Sequence, residues 1–443
     1  GELTMSGTGA LTVPNGTTDQ RPTAANGMIR YNSTTGFMEA YTASGWAPIA
    51  QPPTVTGISP LSTLVSGGIA QGWNTGTKIV ASDAASGTDQ FAYSVSMNSD
   101  GTKVIVGAYM KDAPSNSEGV AYVFTYDGSN WDTGTRIGNG VGVNDAFGHS
   151  VSVSGDGTKV IVGSPWEDIG GLGNAGAAYI FTYNSSSSNW DAGTKIVASD
   201  KAVNDQFGYS VSMSSDGTKV IVGAKGAGTG GAAYIFTYNS SSSNWGTGTE
   251  ILASGGLQQD YFGTSVSINS DGTKVIVGSP YGNAGGLNDS GYAYIFTYDG
   301  SNWDTGADIM AFDKAASDKF GHSVDMSSDG TKVIVGAYQE DPSGVDGAGS
   351  AYVFTYDGSN WDTGTKIVAF DAENYDYFGR TVSISGNGAK VIVGADSEDR
   401  PSLGDAGAAY IFDYQATELF DTETQVFTVT GTGIVSGSTV QLE

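Results

Sequence analysis

The sequence predicts an all-β chain built around a six-bladed β-propeller, and three observations carry that prediction. A Phe-Gly pair, degraded to Phe-Ala in its first copy, begins at Phe91, Phe147, Phe207, Phe262, Phe320 and Phe378, at intervals of 56, 60, 55, 58 and 58 residues. Such a period is the mark of a repeat architecture. Each copy holds four strand-like stretches, the number in a propeller blade. The composition agrees: Gly supplies 67 of 443 residues and charged residues only 15%, against about 25% in an ordinary globular chain. No run of about 18 apolar residues occurs, so a membrane-spanning helix is not expected.

Each copy reads approximately DxFGxSVSxSxDGTKVIVGA, a variable loop, GxAYIFTY, a short turn and NWxxGTKIVASD. The first strand alternates and runs into Asp100-Gly101, Asp156-Gly157, Asp216-Gly217, Asp271-Gly272, Asp329-Gly330 or Asn387-Gly388. Those dipeptides predict a two-residue hairpin, whose central residues need positive φ. The second strand, such as Val220-Ile221-Val222, is apolar on both faces, as a strand between two layers must be. In the third, Tyr179, Phe181 and Tyr183 alternate with Ala178, Ile180 and Thr182. The fourth opens on Trp73, Trp131, Trp190, Trp245, Trp303 or Trp361. The sixth copy reaches Tyr414 without such a strand, whereas Trp73–Ala81 precedes the first copy. That segment is expected to complete the last blade and cover its open edge. The expected organisation is a small β module over 1–51, an Ig-like strand and linker over 52–66, the propeller over 67–415 and incomplete Ig-like strands over 416–443.

Charge and composition narrow the chemistry. With 46 acidic against 19 basic residues, the net charge of −27 disfavours nucleic acid and anionic membranes. Absence of cysteine and the presence of two histidines exclude thiolate sites and leave few metal ligands or general bases. The chain opens on Gly1 with no charged-then-apolar leader. The recurrent Asp89, Asp145, Asp205, Asp260, Asp318 and Asp376, each two residues before its Phe, are expected to accept backbone N–H bonds at the turn into the inner strand. His149 and His322 share one template position with Tyr93, Tyr209, Thr264 and Arg380; a pore-facing pair is conceivable, but the slot reads as a tolerant polar position. Sequons at Asn32, Asn184 and Asn239 read as turn chemistry.

The string FGYSVSMSSDGTKVIVGA resembles the FG-GAP repeats of integrin α-chain propellers and their microbial and viral relatives, over roughly residues 67–415. The family's calcium loop, DxDxDG, is replaced by Ser-Ser-Asp-Gly-Thr-Lys or similar. One carboxylate cannot supply six to eight oxygens, so no metal or other cofactor is expected. The sialidase Asp-box is likewise not matched, and Arg21, Arg30, Arg136, Arg380 and Arg400 do not suggest a carboxylate-binding cluster. Upstream, Pro14, Gly16, Gln20, Arg21, Pro22, Gly27, Met28, Ile29, Arg30, Tyr31, Asn32 and Trp46 resemble a module of phage tail fibres, with Asn32 to Gly36 separating two strands. Gln51–Pro60 and Gln425–Leu442 resemble opening strands of IPT/TIG Ig-like domains. They are too few for a sandwich, so a fragment or strands supplied by partners is expected.

These resemblances imply a non-enzymatic virion structural and attachment protein at a virion surface or in the extracellular space. Its partners would be other virion or fibre subunits and a host glycan or protein, with a possible homo-oligomer through the N-terminal module. A secreted microbial adhesin or matrix filament is the alternative, and a glycan-active enzyme the minor one. The two-to-three loops vary on a uniform frame, which is where binding is usually carried. They place Tyr109, Trp166, Tyr281 and Tyr338 beside Asp112, Glu167, Asp168, Glu340 and Asp341. Aromatic faces beside carboxylates suit sugar rings and hydroxyls; the alternative is that the rings pack their own loops.

Overall fold

A computed structural model describes residues 15–16, 29–32, 37–42, 45–48, 77–83, 89–111, 118–138, 142–254, 259–398 and 407–414. The chain divides into one unit of Gly1–Thr77 with Ala416–Glu443 and a second of Lys78–Gln415. In the first, Asn15–Gly16 runs parallel to Ile29–Asn32, which pairs antiparallel with Phe37–Thr42, itself paired with Gly45–Pro48. The strand-turn-strand expected around Asn32 to Gly36 is therefore present, with Asn32 opposite Phe37. The Ig-like stretches lie outside the described residues.

The second unit is a six-bladed propeller whose sheets begin at Ser94, Ser150, Phe207, Ser265, Ser323 and Thr381. Blade 2 shows the pattern. Ser150–Val153 pairs with Lys159–Ser164, which pairs with Ala177–Asn184, and Thr194–Ile196 lies outermost. The strands' two-residue alternation sends the faces of one blade to two neighbours. Val160, Val162 and Phe181 pack against Ile105, Ala121 and Val123 of blade 1. Ile161, Ala178 and Ile180 pack against Val220, Val222 and Phe236 of blade 3. Each Phe of the Phe-Gly pair anchors its blade edge-on: Phe147 stands 5.5 Å from the Tyr179 ring and 6.1 Å from Phe181.

The joint between blades is set by glycine. On the second strand of blade 2, a Cβ at Gly163 would lie 2.0 Å from the Gly208 carbonyl oxygen of blade 3. Only a residue without a side chain lets the backbones approach so closely. The same oxygen accepts a hydrogen bond from Ser150 Oγ at 2.9 Å. Ser94, Ser210, Ser265 and Ser323 repeat it towards Gly148, Gly263, Gly321 and Gly379. At the opposite end, backbone N–H groups link Ser99 to Gly155, Gly155 to Ser215, Ser215 to Ser270, Ser270 to Ser328 and Ser328 to Gly386.

One expectation needs correction. The Asp-Gly dipeptides do not form two-residue hairpins: Gly157 N donates to Ser154 O, Ser154 N to Lys159 O, and Gly157, but not Asp156, has positive φ. Asp156 instead accepts from Thr158 N at 2.9 Å and from the Ser154 and Thr158 hydroxyls. These bonds favour a wider loop. The strand expected over Trp73–Ala81 lies partly outside the described residues: 73–76 are not described, Thr77–Ile79 are unpaired, and among the described residues the blade 6 sheet has three strands. Ile79 and Ala81 join Val104, Val106 and Tyr122 of blade 1, the contact a fourth strand makes with the following blade, as Ile196 does with blade 3. Tyr122 Oη donates to Asp83 at 2.5 Å, and Lys111 Nζ to Asp83 O at 2.8 Å.

Among the described residues the sixth joint is accordingly open. Ile392 and Ile411 on blade 6 are 42% and 55% exposed, and Val95 and Met97 on blade 1 are 62% and 59% exposed. Their counterparts Ile161 and Ile180 are buried in the blade 2–3 joint.

Replacing Gly223, where a Cβ would meet Gly263 O at 2.1 Å, with Ala is expected to cost about 3 kcal/mol in chemical denaturation. Gly228→Ala, at φ +56° with nothing within 4 Å, is expected to cost only about 1 kcal/mol. Equal losses would refute the joint. In hydrogen exchange, the amides of Ala409–Ile411 are expected to exchange faster than those of Ala178–Ile180; equal protection would mean that the sixth edge is covered.

Candidate functional site

Two residues beyond each Phe, the chain enters the innermost strand of its blade. Tyr93, His149, Tyr209, Thr264, His322 and Arg380 therefore stand at equivalent positions around the propeller axis. The residue leaving each second strand lies beside them, at Tyr109, Pro165, Lys225, Pro280, Tyr338 and Asp396. Antiparallel pairing puts both positions at one end of the blades, and together they form the axial mouth.

The mouth is aromatic and contains cations. The His149 ring lies 4.6 Å from Tyr209, 5.2 Å from Tyr93, 5.6 Å from Tyr109 and 6.1 Å from Trp166. Its Nδ1 donates to the Tyr209 carbonyl at 3.1 Å, which assigns the tautomer. Lys225 Nζ sits 3.5 Å over the Tyr209 ring and Lys319 Nζ 3.7 Å over Tyr281, both in cation–π range. On the other side His322 lies 4.5 Å from Tyr338, which also meets Tyr377 at 5.5 Å and the Arg380 guanidinium at 4.7 Å. The slot read as tolerant thus contributes rings and a cation to one cluster.

The expected binding residues divide. Tyr109, Trp166, Tyr281 and Tyr338 lie around the mouth; Tyr109 is buried in the stack and Tyr281 is exposed. The carboxylates do not join them. Glu167 is buried against the Tyr179 hydroxyl and Lys195 Nζ, and Glu340 against the Ser350 hydroxyl and Lys366 Nζ. Exposed Asp168 accepts from Asn174 N at 2.9 Å and exposed Asp341 from Gly347 N at 2.6 Å. Both shape their own loops. Asp112 lies outside the described residues.

The recurrent Asp before each Phe has the expected backbone role in four blades. Asp145, Asp205, Asp318 and Asp376 accept from the N–H of Gly142, Ala202, Ala315 and Glu373. Asp89 differs, holding buried Lys111 at 3.0 Å. Sequence reading overlooked Lys225 and Lys319, as well as Asp83, Asp200, Asp313 and Asp371, which each accept a buried tyrosine hydroxyl. Recurrence in the KIVASD stretch was the available signal for the aspartates.

Burial dominates the electrostatics. It pushes His149 and His322 down to about 4, with Arg380, Lys225 and Lys319 adding to the effect at His322. Burial also lowers Lys225 to about 8 and raises Asp145 and Asp318 to about 6. A histidine depressed in the fold binds fewer protons than in the unfolded chain, so its contribution is present above about pH 6.5 and lost on descent towards 4. The two raised aspartates work in the opposite sense, being stabilising below about pH 4 and losing that contribution as pH rises through about 6. A His149→Gln/His322→Gln variant retains both aspartates. Its stability relative to the parent is therefore expected to rise between pH 7 and 4, measured by denaturation at each pH; a constant difference would contradict neutral burial.

Comparisons with known proteins agree with the repeat. The FG-GAP repeat matches residues 73–124, 138–181, 190–236, 245–296, 303–354 and 361–412. A solved structure described as "Structure of Dos1 propeller" is similar over 72% of this chain and 69% of that one, at 13% identity and a TM-score of 0.43. No curated protein matches the sequence. With six matched repeats spanning more than half of its length, the chain belongs to the FG-GAP repeat family.

Proposed function

We propose that this protein is a non-enzymatic attachment module, carried as a tail fibre or surface projection of a virion, whose propeller binds host-surface glycan at the axial mouth. The observation that carries the binding role is the contiguous stack of Tyr93, Tyr109, His149, Trp166 and Tyr209 at the ends of three successive blades. Rings presented on a stiff frame bind without a large ordering cost. Flat aromatic faces suit the C–H surface of a sugar. The virion setting rests on the resemblance of residues 1–51 to tail-fibre modules, which also suggests other fibre subunits as partners and an extracellular location.

The test is adhesion of the full chain to candidate host cells and immobilised glycans. Trp166→Ala/Tyr338→Ala is expected to reduce adhesion at least about tenfold, since stacked aromatics are typical hot spots, while the melt changes little. Full adhesion by that folded variant would refute the mouth as the binding surface.

A further inference from the structure

The mouth carries a charge that the attachment reading leaves unused. Lys225 is half-buried, yet it has no hydrogen bond or carboxylate partner among the described residues; its contact is the π face of Tyr209. Lys111, Lys195, Lys319 and Lys366 are paired with carboxylates, whereas Lys103 and Lys159, like Lys225, face a tyrosine ring; of these three, Lys225 is the one at the axial mouth. An uncompensated, partly desolvated ammonium is costly, and it is retained in a chain of net charge −27. The Lys225 charge reaches both His149 and His322. That of Arg380 reaches Tyr93 and Tyr209, although Arg380 also has Asp396 at 3.7 Å. With both histidines neutral at physiological pH, Lys225 and Arg380 are positive charges facing the ring cluster.

We propose that the axial mouth takes an anionic saccharide, its carboxylate or sulfate held by Lys225 in the added field of Arg380 and its ring against Trp166 and Tyr93. Tyr93 is 51% exposed and lies 4.4 Å from the Tyr109 ring, which meets Trp166 edge-on at 5.9 Å. Tyr93 and the half-exposed Trp166 are thus the accessible rings beside buried Tyr109. The arrangement favours a ring-bearing acid over an acidic peptide, whose backbone offers no face to lay on Trp166. This inference rests on the attachment reading of the same mouth and specifies its ligand class.

The experiment is titration calorimetry of the full chain with lactose, 3′-sialyllactose, 3′-sulfolactose and a hexaglutamate peptide. At least one acidic sugar is expected to bind about tenfold more tightly than lactose, the factor that one charge-assisted hydrogen bond supplies. The two acidic sugars distinguish carboxylate from sulfate. Lys225→Met, which retains the aliphatic stem, is expected to abolish the acid preference over lactose, and Lys225→Arg to preserve it. Trp166→Ala is expected to weaken every sugar.

Equal affinity for the three sugars, an acid preference that survives Lys225→Met, or hexaglutamate binding as tightly as the acidic sugars would overturn the proposal. Adhesion through the mouth to neutral glycans alone would overturn this inference and leave the attachment reading standing. Loss of both adhesion and sugar binding would overturn both.

Discussion

The fold depends on a contact between backbones: a second-strand glycine of one blade pressed against the Phe-Gly carbonyl of the next. With a Cβ only 1.9 to 2.1 Å from that oxygen at Gly107, Gly163, Gly223, Gly278 and Gly336, the joint admits no side chain. The Phe-Gly glycine is constrained as well. Gly208 has φ +92°, and its own Cβ would meet Ala177 O at 2.3 Å, so a side chain there would add strain to a clash. The serine hydroxyl donating to the same carbonyl then satisfies a group that close packing would otherwise strand. The same geometry delivers the residue after each glycine to the axis.

The open sixth joint lies where, among the described residues, blade 6 shows only three strands. Elsewhere the fourth strand pairs with its own blade and also packs on the next, as Ile196 does with Ala178 and with the blade 3 core. The segment around Ile79 makes only the second contact among the described residues. Each Ile or Val left uncovered forgoes roughly 1.5–3 kcal/mol of burial. Val95, Met97, Ile392 and Ile411 are the two halves of the joint that the other blades share.

Much of this was legible because a repeat states its constraints several times. Recurrence of Phe-Gly, Val-Ile-Val and the Asp two residues before Phe identified the anchor, the doubly buried strand and the turn acceptor, and their roles survive in the structure. What was not legible concerns direction. Trp166 and Glu167 are adjacent in sequence and were read as one site, yet the turn closed by Glu167 N on Ser164 O separates them: Trp166 joins the axial rings, whereas Glu167 turns to Tyr179 and Lys195. Lys195 lies 28 residues from its partner, a pairing that only the sheet register reveals. Lys225 was passed over because its repeat position holds Tyr, Pro or Asp in other blades, so recurrence could not mark it.

The mouth therefore gathers two kinds of position, one fixed by the joint and the other by the exit of the second strand. Rings gather from blades 1 to 3 and from blades 4 and 5, and the cations are Lys225, Lys319 and Arg380. Density from the intact protein soaked with an acidic oligosaccharide tests this most directly. The account predicts a bound sugar ring against Trp166 and Tyr93 with its acid group at Lys225. Density in the groove between blades 3 and 4, beside Glu250 and Trp303, with an empty axial mouth, would contradict it.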